Sequence, residues 1–279
     1  MTTTTTAQRA QAGGPLGVFD SGLGGLTVVR ALRAALPHED IVYLGDTARV
    51  PYGTRGAATV IKYASLCAQH LVGHGVKAIV IACNTVSAVA PERLRIDLDL
   101  PVLAVIEPNA RAAVLASKTG KIGVLATPAT IASGAYTRAV ISISTRAEVT
   151  CQAAPLLVPL AEEGWTEGEV PRLAARRYLE PLARAGVDVV VLGCTHYPLL
   201  RAVIESEARD LIGPHVTIVD SATVIAAEVV SFLEARGLQR DASTLGKTSL
   251  FVTDMPKSFA DVAGRFLGGA IPHVEQVDL

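Results

Sequence analysis

An α/β protein built on parallel sheets, with helices over both faces, is the fold class that this sequence predicts. Three observations carry the prediction. Strand-like and helix-like segments alternate along the whole chain, as in repeated βαβ units. The strand-like runs are short and continuously apolar, as in sheets covered on both sides. Two of them, Val80-Ile81-Ala82-Cys83 and Val191-Leu192-Gly193-Cys194, stop at a cysteine followed by small polar residues suited to a helix start. At about 150 residues per domain, a length of 279 residues fits one large domain or two small ones.

In chain order, Leu16 to Phe19 reads as a strand and Leu26 to Ala35 as a helix. A strand over Asp40 to Leu44 precedes a helix from Ala57 to Val72. The strand Lys77 to Ala82 is followed by a helix over Val86 to Leu94. Val102 to Ala104 is a short strand, Pro108 to Ala116 helical, and Lys121 to Leu125 extended. Glu148 to Ala153 is again extended, with a helix from Val170 to Arg184. The strand Val187 to Leu192 leads to a helix from Leu199 to Ala208, and Val216 to Val219 to a helix over Ala222 to Ala235. Strands at Thr248 to Val252 and Val274 to Val277 flank a last helix from Lys257 to Phe266. Each periodicity matches one class of element: continuous β-branched runs for strands, apolar residues three and four apart for helices.

Composition narrows the function classes. Half the residues are apolar, and 25 Lys and Arg nearly balance 26 Asp and Glu. No basic run interleaves with aromatics, so the footprint of direct nucleic-acid binding is missing. No stretch reaches the ~18 apolar residues of a membrane span, so no membrane partner is expected. Met1 to Gly14 is polar, lacks the apolar centre of a secretion signal, and reads as a disordered tail; a cytoplasmic location is expected. The four cysteines, Cys67, Cys83, Cys151 and Cys194, form no compact framework and no CxxC, so free thiols are expected. Cys67 and Cys151 read as small buried hydrophobes.

The chemistry concentrates at strand ends. A strand, a reactive group at its carboxyl end and then a helix is where open α/β sheets place their sites. Cys83-Asn84-Thr85 and Cys194-Thr195-His196 are two matched copies of that arrangement, 111 residues apart. Two thiols facing one carbon from opposite sides suit a racemase that needs no cofactor. A helix N-terminus is expected to lower the thiol pKa from ~8.5. His196 can exchange protons near neutral pH. A Cys-His hydrolase would use one such pair but leaves the second cysteine unexplained. A zinc site from Cys83, Cys194 and His196 lacks an evident fourth ligand.

The first strand ends in Phe19-Asp20-Ser21-Gly22-Leu23-Gly24-Gly25-Leu26-Thr27. It begins like a dinucleotide-binding GxGxxG, with Asp46 where a ribose-binding acid would stand. Thr27 replaces the last glycine, however, and Asp20 would meet a pyrophosphate with like charge. Asp20 fits better beside an ammonium group or as helper of an acid–base residue; a helix N-cap is the plain alternative. The loop Gly45-Asp46-Thr47-Ala48-Arg49-Val50-Pro51-Tyr52-Gly53 is either an ordinary turn with a salt bridge or an anion cradle using N–H groups near Tyr52 and Gly53.

These segments, with Val105-Ile106-Glu107-Pro108 and Gly193-Cys194-Thr195-His196-Tyr197-Pro198-Leu199, make the chain resemble the bacterial glutamate racemases from Gly17 to Val277. The resemblance implies two flavodoxin-like parallel-sheet domains with the active site between them. The first domain would comprise residues 15–107 plus 218–279 and the second residues 108–217. The resemblance implies no cofactor and no metal, and neither cysteine motif holds the lysine that pyridoxal phosphate needs. It implies Cys83 and Cys194 as the acid–base pair, with Cys83 serving D-glutamate and Cys194 L-glutamate. Asp20 and His196 would assist them and contact substrate, and Glu162 would orient the histidine. Ser21, Tyr52, Gly53, Asn84, Thr85 and Thr195 would bind substrate, together with a loop containing Thr127 and Thr130. The partners implied are L- and D-glutamate, with D-glutamate destined for peptidoglycan. A homodimer would fit the family. Some members inhibit DNA gyrase, a protein-binding role that this neutral chain gives no sign of. A racemase for aspartate or another amino acid is the alternative within enzymes. The chain departs from the family pattern at Ala154, where Cys is frequent, and at Asn109 and Ala129, where Gly is common.

Overall fold

The computed structural model describes residues 13–240, 243–255, 259–271 and 273–279. Nearly all of the expected N-terminal tail, and the first two residues of the expected last helix, lie outside the described residues.

The chain forms two parallel sheets. The first begins with β1 (Leu16–Asp20), β2 (Ile41–Gly45), β3 (Ala78–Ile81) and β4 (Val102–Ala104). The second contains β5 (Lys121–Ala126), β6 (Glu148–Ala153), β7 (Val189–Gly193) and β8 (Thr217–Asp220). The chain then returns to the first sheet with β9 (Thr248–Val252) and β10 (Val274–Gln276). The spatial orders are β10-β9-β2-β1-β3-β4 and β6-β5-β7-β8. Every strand pairing is parallel. Each sheet therefore contains the same winding, second-first-third-fourth, which begins the flavodoxin-like order. β3 and β7, the strands before the two cysteines, are the third strands of the two windings.

Residues 218–220, assigned by the sequence reading to the first domain, pair with β7 in the second sheet. The chain crosses back after Asp220, whose carboxylate caps the next helix by accepting from the Ala222 amide at 2.8 Å.

The helices are α1 (Leu26–Ala35), α2 (Ala57–Gly73), α3 (Asn84–Ser87), α4 (Pro91–Asp97), α5 (Ile106–Ala116), α6 (Pro128–Ala132) and α7 (Ala135–Ile143). They continue with α8 (Leu157–Glu162), α9 (Glu169–Ala185), α10 (Arg201–Leu211), α11 (Ser221–Arg236) and α12 (Phe259–Leu267). Three helical expectations change. The stretch 86–94 breaks into α3 and α4, because Pro91 opens a new helix at its N1 position. Residues 199–208 begin as a 3₁₀ turn, Tyr197–Leu200, before α10. α6, α7 and α8 are additional to the sequence reading; α6 and α8 are too short to display a periodicity.

Successive residues of a strand face opposite sides of a sheet, and the core follows that alternation. Val18 and Val80 join an apolar core that continues through α1, α5 and α11 into the second sheet. Phe19, Ile79 and Ile81 face a separate core under α2 and α4. The packing of α11 on α1 and α5 joins the two sheets through one continuous interior. The carboxyl ends of β1, β3, β5 and β7 meet in the crevice between them. In register, Phe19 lies beside Ile81 and Ala126 beside Gly193. One or two residues on, Ser21 comes level with Cys83 and Thr127 with Cys194.

Candidate active site

Cys83 and Cys194 are both buried, at 5% and 6% exposure, each just beyond its strand. Their surroundings differ. The Cys83 thiol donates to Ser21 Oγ at 3.4 Å. Burial, reinforced by the charge of Asp20, pushes it up to about 12. The sequence reading expects a thiol acidified by a helix N-terminus. That expectation is corrected here: α3 has only four residues, too short for a substantial macrodipole, and desolvation dominates. No α-helix starts at Cys194 either, since a 3₁₀ turn intervenes.

Cys194 faces His196, with Sγ 3.8 Å from Nδ1. The opposite ring nitrogen, Nε2, is 3.0 Å from Glu162 Oε1. Burial opposes a charge on this ring, but bonds to Cys194 and Glu162 and their negative charges raise its pKa to about 10. Phe266 of α12 meets the imidazole edge-on, with ring centroids 4.9 Å apart. Glu162, at the end of α8, thus meets the ring on the side away from Cys194.

Asp20 ends β1 and is 1% exposed. Its Oδ2 accepts from the Gly22 amide at 3.2 Å, which makes it a turn acceptor. Oδ1 has no hydrogen-bond partner among the described residues. Burial raises the carboxyl pKa, while the charge of His196 and backbone N–H groups pull it down. Asp20 couples to Cys83 on one side and to His196 on the other.

The walls of the crevice are sewn together by small side chains. Thr85 Oγ1 lies 3.0 Å from Thr127 Oγ1 and 3.2 Å from Thr130 Oγ1, and the latter two are 3.0 Å apart. This triangle joins the first sheet's side to the loop after β5. Gly53 packs on the same loop; a Cβ there would sit 3.0 Å from Thr127 Cβ. Gly24 presses on the second cysteine motif, where a Cβ would fall 2.2 Å from Thr195 Oγ1 and 2.5 Å from His196 Nδ1. Thr27, the residue that breaks the dinucleotide pattern, shares its one hydroxyl proton between Gly24 O and Thr195 O, at 2.8 and 3.1 Å. That position is a seam between the halves and not a phosphate cradle.

The loop after β2 is an ordinary polar turn in its side chains. Asp46 is fully buried and accepts from Arg49 and Thr253, each at 2.8 Å, and from the Tyr52 hydroxyl. Asp46 is thus a structural clamp, and Tyr52 commits its hydroxyl to it. Asn84 is likewise occupied: Tyr136 donates to its Oδ1 at 2.6 Å, and its Nδ2 faces Ser221 Oγ at 3.5 Å.

The structure thus gathers Asp20, Ser21 and Cys83 at one wall, and Cys194, Thr195, His196 and Glu162 at the other. Thr85, Thr127, Thr130 and Gly53 lie at their junction. Cys67 is buried in α2 as expected, whereas Cys151 is half-buried on the edge strand β6. Among the described residues, no three His, Cys, Asp or Glu side chains are arranged to hold a metal ion. No described helix is long and apolar enough to cross a membrane. Sequence reasoning missed Phe266, Tyr136 and Ser221. Phe266 lies 70 residues from His196, and no local pattern connects them.

Comparison with known proteins gives a consistent answer. The Asp/Glu/hydantoin racemase family matches residues 26–229. A glutamate racemase from Geobacter metallireducens is 50% identical over 264 residues, covering 95% of this chain and 96% of its own. The crystal structure of Thermus thermophilus glutamate racemase in complex with β-chloro-D-alanine is 44% identical, with a TM-score of 0.85 over 96% of this chain and 98% of that one. The structure of Francisella tularensis glutamate racemase in complex with D-glutamate is 36% identical, with a TM-score of 0.88 over the same shares.

Proposed function

The chain belongs to the Asp/Glu/hydantoin racemase family, and on that premise we propose that it interconverts L- and D-glutamate by a two-thiol mechanism without a cofactor. The observation that carries the reading is the equivalence of Cys83 and Cys194. Each follows the third strand of the same parallel winding, each is buried, and each has its own polar helper. A single-base enzyme has no use for the second copy.

Inversion at Cα needs a base on one face and an acid on the other. With L-glutamate, Cys194 as thiolate takes the α-proton, and Cys83 as thiol delivers its own proton to the opposite face. The product leaves an enzyme with a Cys83 thiolate and a Cys194 thiol. That form accepts D-glutamate and runs the steps in reverse. The high pKa of Cys83 keeps it protonated at neutral pH, the state required for the L-to-D direction.

The α-hydrogen of glutamate is weakly acidic, so the site must stabilise the developing carbanion. Exclusion of water and fixed donors do this. Asp20 Oδ1, a buried acceptor, suits the substrate ammonium group; that contact would also offset the cost of an unpaired buried carboxylate oxygen. His196, oriented by Glu162, stabilises whichever charge Cys194 carries. Hydroxyls of Ser21, Thr85, Thr127 and Thr195, and amides near Asn84 and Gly53, bind the carboxylates. Because both thiols are buried and the threonine triangle ties the two sides together, substrate enters when that seam opens and reacts when it closes. The product fits D-glutamate supply for peptidoglycan, with the enzyme acting in the cytoplasm.

The test is circular dichroism of L-glutamate incubated with chelator-treated protein and no added cofactor. The signal should decay to zero, and L-aspartate should turn over far more slowly. A constant L-glutamate signal with folded protein would overturn the reading, and faster decay with L-aspartate would reassign the substrate.

A further inference from the structure

Behind the candidate site lies a hydrogen-bond network that the mechanism above does not use. Tyr136 of α7 donates to Asn84 Oδ1 at 2.6 Å. Ser221, at the start of α11, donates to the Leu192 carbonyl of β7 at 2.8 Å. Asn109 of α5 stands between them, with Nδ2 3.0 Å from the Tyr136 hydroxyl and 2.6 Å from Ser221 Oγ. Asn84 Nδ2 closes the ring toward Ser221 at 3.5 Å. All four side chains are buried. The endpoints matter: Asn84 follows Cys83 directly, and Leu192 precedes Cys194 by two residues.

With Ser221 donating to Leu192 O and Tyr136 to Asn84 Oδ1, the proton count fixes the part that Asn109 plays. A hydroxyl has one proton to give. Ser221 gives its proton to Leu192 O, so it must accept from Asn109. Tyr136 gives its proton to Asn84 Oδ1, so it too must accept from Asn109. The amide of Asn109 supplies two N–H groups, one for each. Its remaining atom, Oδ1, is buried without a partner among the described residues. A buried unsatisfied acceptor is costly, and turning the amide over would satisfy it. That turn would withdraw both donors and draw the two hydroxyl protons away from Asn84 and Leu192. Asn is also a weak helix former, which leaves the network as its reason for standing inside α5.

Resting on the racemase reading, we propose that Asn109, Tyr136 and Ser221 are positioning residues: Asn109 fixes the direction of donation so that Tyr136 locks the Asn84 amide beside Cys83 and Ser221 anchors β7 before Cys194. The relative placement of the two thiols is then set by a continuous chain of polar bonds crossing between the halves. Misplacement of about 1 Å can cost ~10²-fold in rate, and the loss falls on kcat when geometry at the transition state is what suffers.

The test compares Asn109→Asp with Asn109→Gly. Asp has the shape of Asn but no donors when ionised; it must draw the protons of Tyr136 and Ser221 toward itself. Gly removes the donors but leaves both hydroxyls free to keep their present acceptors. The expected order is inverted relative to side-chain size. Asn109→Asp, which reverses the donation, loses at least about tenfold in kcat with KM changed less than about threefold, and Asn109→Gly, which only leaves it undirected, falls between the parent and Asn109→Asp. If Asn109 merely fills space, Gly is the worse variant and Asp the benign one; that order overturns the proposal. Tyr136→Phe, which keeps the ring and removes one donor, covers the case in which Asn109→Asp does not fold. It should lose about tenfold in kcat with little change in KM, and an unchanged kcat in folded protein overturns the proposal. Failure of the racemase reading itself would appear separately, as a parent enzyme inactive on glutamate.

Discussion

Adding one methyl group at Gly24 should nearly silence the enzyme while leaving it folded. A Cβ there would lie 2.2 Å from Thr195 Oγ1, 2.5 Å from His196 Nδ1 and 2.7 Å from His196 Cε1. Reaching an ordinary 3.4 Å contact from 2.2 Å requires about 1.2 Å of displacement. Little nearby can give way. The Thr195 carbonyl is held by Thr27. The His196 ring is fixed by Cys194 and Glu162 and backed by Phe266. The methyl must therefore shift the imidazole or part the seam between the halves. Overpacking of this kind costs ~1–3 kcal/mol, which for a chain of this size lowers Tm by about 2–4 °C per kcal/mol. Displacing a helper group by about 1 Å costs ~10²-fold in rate. Circular dichroism should thus show a roughly hundredfold fall in kcat/KM with a Tm loss of several degrees. The fall must be equal from L- and from D-glutamate, because the equilibrium between enantiomers in water is fixed. Gly56, whose added Cβ meets nothing within 4 Å, is the control, and Gly56→Ala should behave as the parent. A Gly24→Ala enzyme within about threefold of parent activity, with unchanged Tm, would refute the packing argument, since losses of this origin are expected near ~10²-fold.

Cys83→Ala and Cys194→Ala should each abolish racemisation while far-ultraviolet circular dichroism stays native, since each change removes only a sulfur; near-normal turnover in either would reject the two-thiol mechanism. Asp20→Asn should lower kcat yet raise Tm at pH 7. The Asp20 carboxyl is held above its ordinary pKa of 3.8 by burial, so its ionisation opposes folding at any higher pH; a lower Tm would contradict this. The opposite sign applies to His196. Its pKa is raised from 6.5 to about 10, so its charge contributes stability that is complete below pH 6.5 and lost as pH rises through 10. The parent Tm should therefore fall more steeply between pH 7 and 10 than that of His196→Asn, and parallel profiles would show the ring is not charged in the folded protein.

The sequence discloses what local chemistry determines. Continuous apolar runs such as Val189–Gly193 become buried parallel strands, and the cysteines at their ends lie in the crevice that this topology creates. The sequence does not disclose what long-range packing decides. The thiol of Cys83 looks acidic beside a helix start, but desolvation, visible only in the folded chain, pushes it the other way. Pro91 breaks a continuous helical pattern. Asp46 looks available to a ribose until Thr253, Arg49 and Tyr52 converge on it from separate segments. Thr27 and Asn109 are visible in sequence only as departures from a pattern. Their reasons, a bond to Thr195 O and a bridge between Tyr136 and Ser221, join residues up to 168 positions apart.

The central claim, one thiol on each face of Cα, is tested most directly by racemising L-glutamate in deuterium oxide and analysing both enantiomers at low conversion. Two separate bases exchange protons with solvent independently, so the D-glutamate formed should carry deuterium at Cα while the recovered L-glutamate keeps its hydrogen. The mirror experiment from D-glutamate should place deuterium only in the L-product. A single base would carry the abstracted proton to the other face, giving product that retains substrate hydrogen or deuterium in both enantiomers alike; either result contradicts the assignment of Cys83 and Cys194 to opposite faces.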